Sequence, residues 1–365
     1  VTPLAQEIVT LIRQEGPISV SRYMALCLGH PRHGYYMKQD PFGAAGDFTT
    51  APEISQVFGE LIGLWAATVW ELMGRPGALR LVELGPGRGT LMQDVLRAAR
   101  VLPGFREALS VHLVETSPVL RERQRAKLAG SGPEPVWHER TETALAGPAI
   151  VIGNEFLDAL PLDQFVRTEG GWRERLVGLG SDGGLAFGLA AEVDPGITLA
   201  AAEGAVLEQP SVAAATVAAI ARHVSAEGGA GLFIDYGMSV SGFGDSLQAV
   251  RRHGFADPLA EPGDADLTVH VDFARIAQAA RKAGAAVHGP VTQRDFLLAL
   301  GLEQRVGALS KRASAEQRES LRSGADRLVA SGPTAMGELF KVAAFGDPRL
   351  PLLPGFDRHH LPEQN

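Results

Sequence analysis

Glu83, Gly85, Gly87 and Gly89, in the stretch LRLVELGPGRGT, are the residues whose types and spacing point most directly to chemistry. A short apolar run closes on a carboxyl group and then turns through glycines, whose missing side chains let the backbone pass close to a ligand. A dinucleotide fingerprint needs G-x-G-x-x-G, whereas the spacing here is G-x-G-x-G with Thr90 next. That disfavours a pyrophosphate. An acid two positions before the first glycine suits the positively charged amino-acid end of S-adenosylmethionine (SAM). The competing reading is that the glycines only make a tight strand-to-helix turn.

Further acidic positions extend the pattern. Glu115 closes the next apolar run, VHLVE, 30 residues after Gly85, where a carboxylate accepts both hydroxyls of a ribose. GNEFLDALP follows a later strand and places Asn154 and Glu155 at the edge where carboxyl ends of parallel strands meet a ligand. Asp158 would share a face with Glu155 if that segment turned helical, or would cap a helix before Pro161. Asp235 ends GLFIDYG on the same expected edge, with capping of its own loop as the alternative. Asp47, near Glu53 in a Gly-, Pro- and aromatic-rich stretch with His33, Tyr35 and Tyr36, belongs to a loop that would close over a cofactor, or is a turn residue. His138 is a candidate adenine contact or a structural histidine.

These parts suit in-line methyl transfer, in which a nucleophile attacks the sulfonium methyl opposite the leaving sulfur. Such transfer requires no metal. Holding two reactants at near-attack distance contributes on the order of 7–11 kcal/mol. A guanidinium, with a pKa above about 12, must lose a proton during transfer, and paired carboxylates would localise its charge on one nitrogen. Glu155 with Asp158, Asp47 or Asp235 fits that role.

The elements that must position these residues read as an α/β chain. LMQDVLRAAR is a helix after the glycines; strands at 111–115, 134–138, 149–155, 231–237 and 338–346 alternate with helices at about 118–129, 211–224 and within HVDFARIAQAARKAG. Helices are also expected at 4–15, in ISVSRYMALCL and over 52–72, and segment 294–332 reads as helical. Residues 163–190 interrupt the alternation as antiparallel hairpins, and LPGFREALS reads as a long loop. At 365 residues and 45% hydrophobic composition the chain can bury a large core. A net charge of −8 argues against non-specific nucleic-acid binding, and the single Cys27 rules out an internal disulfide framework. No run approaches the roughly 20 apolar residues of a membrane span. VTPLAQEIVTLIRQEG lacks a secretory pattern, which suits a bacterial cytoplasm or a processed mitochondrial matrix protein.

Taken together, HPRHGYY, GDFTTAPEISQVFGELIG, VELGPGRGTLMQDVLR, NEFLDALPLDQF, IDYG, LTVHVDFARIA and TQRDFLLALG resemble the MidA family of class I SAM-dependent methyltransferases, whose mitochondrial members are complex I assembly factor arginine methyltransferases. The resemblance runs from about residue 3 to 346 and is weakest across 170–225. It implies a Rossmann-like, doubly wound seven-strand sheet with Glu83, Gly85, Gly87 and Gly89 in the cofactor loop, Glu115 on the ribose, and Asn154 and Glu155 beside the methyl group. It also implies transfer to a protein arginine, with a respiratory complex I (NADH dehydrogenase) subunit or its bacterial counterpart as partner. The expected organisation is an N-terminal helical cap and active-site loop over 1–78, a SAM-binding core over 79–347 with insertions at about 163–225 and 241–333, and an irregular tail over 348–365. Rival readings are a small-molecule O- or N-methyltransferase, a SAM-binding assembly chaperone with little turnover, and an NAD-dependent dehydrogenase, which Thr90 speaks against.

Overall fold

The apolar runs of the sequence become a sheet because five of them are buried on both faces and need helices on either side. In a computed structural model, which describes residues 1–38, 50–251 and 254–356, the core strands are β1 (Leu79–Leu84), β2 (Leu109–Val114), β3 (Val136–His138), β4 (Ala149–Asn154), β5 (Gly229–Met238), β6 (Ala286–Thr292) and β7 (Phe340–Gly346). Their spatial order is β3-β2-β1-β4-β5-β7-β6. β1 to β5 run parallel, and β7 is antiparallel to both β5 and β6. The order reverses between β1 and β4, and the carboxyl ends of strands at such a reversal are the usual ligand position in these sheets. The doubly wound path of seven strands is therefore present, within an eight-stranded sheet. β6 has no counterpart in the sequence reading, because AVHGPVT carries Gly-Pro in its interior and lacks a clean strand pattern.

Helices complete this layer: α1 (Ala51–Ile54), α2 (Gln56–Leu72), α3 (Thr90–Ala99), α4 (Pro103–Ala108) and α5 (Pro118–Leu128). The expected helix over 52–72 is broken at Ser55, which takes an extended conformation while its hydroxyl accepts the Val57 N–H at 3.3 Å and caps α2. LPGFREALS contains the short helix α4 rather than a plain loop. Phe58, Leu61, Ile62, Trp65 and Val69 on α2 are all buried in the sheet's core. Each such side chain contributes about 1.5–3 kcal/mol. A Cβ on Gly63 would lie 2.9 Å from Ala98 Cβ and from Val95 backbone atoms, so this glycine lets α2 and α3 touch.

The chain divides into two compact units, Val1–Phe48 with Asp158–Ala215 and Val240–Val271, and Thr49–Leu157 with Thr216–Ser239 and Asp272–Asn365. The second contains the core sheet. In the first, helices Pro3–Glu15 and Val20–Gly29 bury Leu4, Ile8, Tyr23, Met24 and Cys27 against Leu162, Val177 and Leu267 of the inserted segments. Its strands form antiparallel sheets, including Asp163–Thr168 paired with Gly171–Leu179. The expected cap over 1–78 is thus divided. Its first two helices pack on the insertions, whereas α1 and α2 belong with the core sheet, because their broad apolar face matches that sheet and not the hairpins. The expected insertion over 241–333 divides likewise at 271/272. No helix among the described residues is long and apolar enough to cross a membrane.

Candidate functional site

The site is built at the carboxyl end of β1. Gly85, Gly87 and Gly89 adopt φ of 59°, 51° and 80°, a left-handed series that an L-residue enters only with strain. The Gly85 N–H donates to Val114 O at 3.0 Å and the Gly89 N–H to Pro86 O at 2.7 Å, which closes the turn onto the start of α3. In the first turn of α3 the Met92 N–H donates to the Glu83 carboxyl. Glu83 is almost fully buried, and its Oε2 has no hydrogen-bond partner. Burial, with the Glu115 carboxylate adding to it, pushes the Glu83 carboxyl up to about 8 against the single favourable Met92 contact.

On the adjacent strand, Asn154 is buried and its Oδ1 is likewise unpartnered, while its Nδ2 donates to Glu155 Oε1 at 3.1 Å. Two orphaned acceptors at the carboxyl ends of neighbouring strands are costly unless a donor arrives, and the ammonium and hydroxyl groups of SAM are such donors. Glu115 differs. Its Oε1 accepts from the Ser117 N–H at 2.8 Å and its Oε2 from Gln124 Nε2 at 3.1 Å. The Thr116 N–H is a third donor, and since a carboxylate offers about four lone-pair sites, one remains for a ribose hydroxyl. Burial raises its carboxyl, opposed by these donors.

The acceptor side is stitched by long-range contacts. Glu155 has φ of 51°, one of two non-glycine residues with positive φ among those described. Such a conformation costs on the order of 1–3 kcal/mol and persists when its surroundings enforce it. Here its N–H donates to Ile234 O at 2.8 Å, and its Oε1 also accepts the Ala51 N–H at 3.1 Å. Asp235 is buried; its Oδ2 accepts the N–H groups of Phe156 and Leu157 at 3.1 and 2.9 Å, and its Oδ1 that of Tyr236 at 3.0 Å. The aspartate therefore caps the turn that carries Glu155. α1 is tied to the glycine loop as well, since Thr90 Oγ1 donates to the Glu53 carboxylate and accepts from Lys127 Nζ at 2.7 Å.

Other expectations change. Residues 155–158 form a bend and turn, not a helix, so Glu155 and Asp158 do not share a helical face. Asp235, 79 residues on from Phe156, holds the Phe156 and Leu157 N–H groups in this turn. Asp158 is buried in the first unit, where its carbonyl accepts the Val269 N–H at 3.1 Å. Asp47 lies outside the described residues. Tyr35 is buried, and Tyr36 donates to the Asp266 carboxylate at 2.9 Å. His138 is engaged at both ring nitrogens, by His112 at 2.9 Å and Thr143 Oγ1 at 3.1 Å, which is what a structural histidine requires.

The sequence reading missed Gln124 and the Glu53–Thr90–Lys127 contact. Gln124 left a signal, for it is the polar member of the buried stripe Leu120, Gln124, Leu128 on α5, and a polar group on an apolar face needs partners. The Thr90 contact left none.

A sheet of this order, opened at its carboxyl edge by a glycine loop and lined there by buried acceptors, places the chain among the class I SAM-dependent methyltransferases. Residues 61–291 match the family model described as "Putative S-adenosyl-L-methionine-dependent methyltransferase". The chain belongs to this family, the MidA methyltransferases, and SAM is its cofactor. It is 36% identical to the "Protein arginine methyltransferase NDUFAF7 homolog, mitochondrial" of Drosophila melanogaster, over 98% of this chain and 86% of the relative. It is 33% identical to the human "Protein arginine methyltransferase NDUFAF7, mitochondrial", over 94% and 83%. A solved Burkholderia thailandensis protein bound to S-adenosyl-homocysteine superposes with a TM-score of 0.83 at 30% identity, covering 97% of this chain and 94% of that one.

Proposed function

We propose that this methyltransferase acts on an arginine side chain of a protein, with Glu155 receiving the guanidinium. The observation that carries the reading is the strained Glu155, held by Ile234, Ala51 and Asn154 at the carboxyl edge beside the glycine loop. The names of the relatives, which are protein arginine methyltransferases, support the acceptor class. Glu83, Gly85, Gly87, Gly89, Glu115 and Asn154 hold the cofactor: Glu83 and Asn154 accept from its donors, Glu115 takes a ribose hydroxyl, and the glycines let the backbone approach. SAM supplies a methyl group on a sulfonium, which leaves as the neutral thioether.

Glu155 attracts the guanidinium cation, aligns one nitrogen with the methyl and draws charge to the other. Transfer would leave the attacking nitrogen with a surplus proton, and the Glu155 carboxylate, directly or through solvent, would accept it. Asp235 acts through Glu155, by fixing its turn. The family resemblance supports the finer target, a complex I subunit or its bacterial counterpart, and the mitochondrial names of the relatives support a mitochondrial site of action, with a bacterial cytoplasm as the alternative.

The test is incubation with methyl-labelled SAM and cell extract, followed by mass spectrometry. Label is expected on arginine of a discrete protein, falling about 10²-fold with Glu155→Gln while SAM affinity holds. Label on small molecules or on another residue type alone would overturn the acceptor class, and full transfer by Glu155→Gln would remove Glu155 from its role.

A further inference from the structure

Gln124 is fully buried on α5, and its carboxamide makes three contacts that the chemistry of its partners orients. Trp137 Nε1 can only donate, and it meets Gln124 Oε1 at 2.8 Å. The Gly87 carbonyl and the Glu115 carboxylate can only accept, and both meet Nε2, at 2.7 and 3.1 Å. No other rotation of the amide satisfies all three. The amide is thus the link between the middle of the glycine loop and the carboxylate that closes β2. A Cβ on Gly89 would lie 3.5 Å from Gln124 Cα and Cγ, so the loop also rests against this residue.

We propose that Gln124 is a positioning residue for the cofactor, holding the Gly87 carbonyl and the Glu115 carboxylate in one rigid piece so that loop and ribose site receive SAM together. This rests on the reading that Glu115 takes the ribose. It follows that the position requires a donor. A glutamate of the same shape would aim a carboxylate at two acceptors and, when ionised, push Glu115 away; when protonated, it would donate again. Glu115 meets it directly, and the charged groups around its partners among the described residues include Glu83 beside Glu115, Arg121, which donates to the Glu115 carbonyl, Arg125 over the Trp137 ring, and Lys127 at Thr90 of the glycine loop.

The experiment measures SAM affinity of the full chain by calorimetry at about pH 6 and about pH 8.5 for the wild type, Gln124→Glu, Gln124→Met and Glu115→Ala. Gln124→Glu should bind SAM about tenfold or more weakly at the higher pH, with the ratio to wild type closing at the lower pH. Gln124→Met should be about tenfold weaker at both. In turnover, both should raise KM for SAM and leave kcat at saturation within about twofold, as expected when only positioning is lost. A Gln124→Glu deficit that is equal at both pH values would assign the residue to packing and overturn the proposal. So would wild-type affinity in Gln124→Met. If Glu115→Ala weakens SAM and neither Gln124 variant does, the positioning role alone fails. If Glu115→Ala binds SAM normally, the ribose reading fails first.

Discussion

Replacing Glu83 with Gln should flatten the pH dependence of this protein's stability. The folded carboxyl keeps its proton up to about pH 8 because it is buried beside Glu115, whereas the unfolded chain gives it up near its ordinary value of 4.5. Between those values the folded state binds more protons than the unfolded one. Stability therefore falls as pH rises through that window. At about 1.4 kcal/mol per pH unit, the loss attributable to this group reaches up to about 5 kcal/mol above pH 8. Gln keeps the shape and cannot ionise, but its amide nitrogen would sit where Oε2 has no partner, a penalty of about 1–3 kcal/mol that does not vary with pH. The two effects separate in the pH slope. Urea unfolding without SAM should show the variant gaining on the wild type steadily from about pH 5 to about pH 8.5. SAM should narrow the difference at high pH by pairing the wild-type carboxylate with a cation. A stability difference constant over that range would refute the reasoning, because Glu83 would then titrate alike in both states.

Gly87→Val forces a branched side chain onto φ of 51° in the cofactor loop and should abolish measurable SAM binding in calorimetry; unchanged affinity would refute the placement of the loop. Asp235→Ala leaves the N–H groups of Phe156, Leu157 and Tyr236 without their carboxylate, and should cost about 2–4 kcal/mol in thermal unfolding while lowering kcat more than SAM affinity. Equal activity and stability would show that other contacts hold the turn. Gly63→Leu inserts a side chain where a Cβ already lies 2.9 Å from Ala98 Cβ, and should destabilise by about 1–3 kcal/mol or more; a wild-type melting temperature would mean that α2 and α3 separate freely.

Much of the site was legible because its signals are local. The strand-to-glycine pattern requires left-handed backbone at three alternate residues, and only glycine tolerates that without strain, so Gly85, Gly87 and Gly89 identify their own conformation. Glu83 and Glu115 end apolar runs, which places them at strand termini before any tertiary contact is known. Whether Glu155 and Asp158 share a face was not legible, for the complementary reason. A three-residue spacing implies a shared face only in a helix, and here the segment is a turn tied to the Asp235 carboxylate, 79 residues from Phe156.

The division follows the range of the interactions. Apolar period, glycine spacing and acid placement act over a few residues, so the chain alone specifies most of the core strands, the class of sheet and the glycine loop. Partnerships across the sheet are set by strand order and register, which composition does not encode position by position. Glu155 meets the Ala51 N–H across 104 residues, and Gln124 meets the Gly87 carbonyl across 37. Folding brought those groups together and left Glu83 Oε2 and Asn154 Oδ1 without protein donors, which turns a glycine motif into a site with a defined need for a ligand.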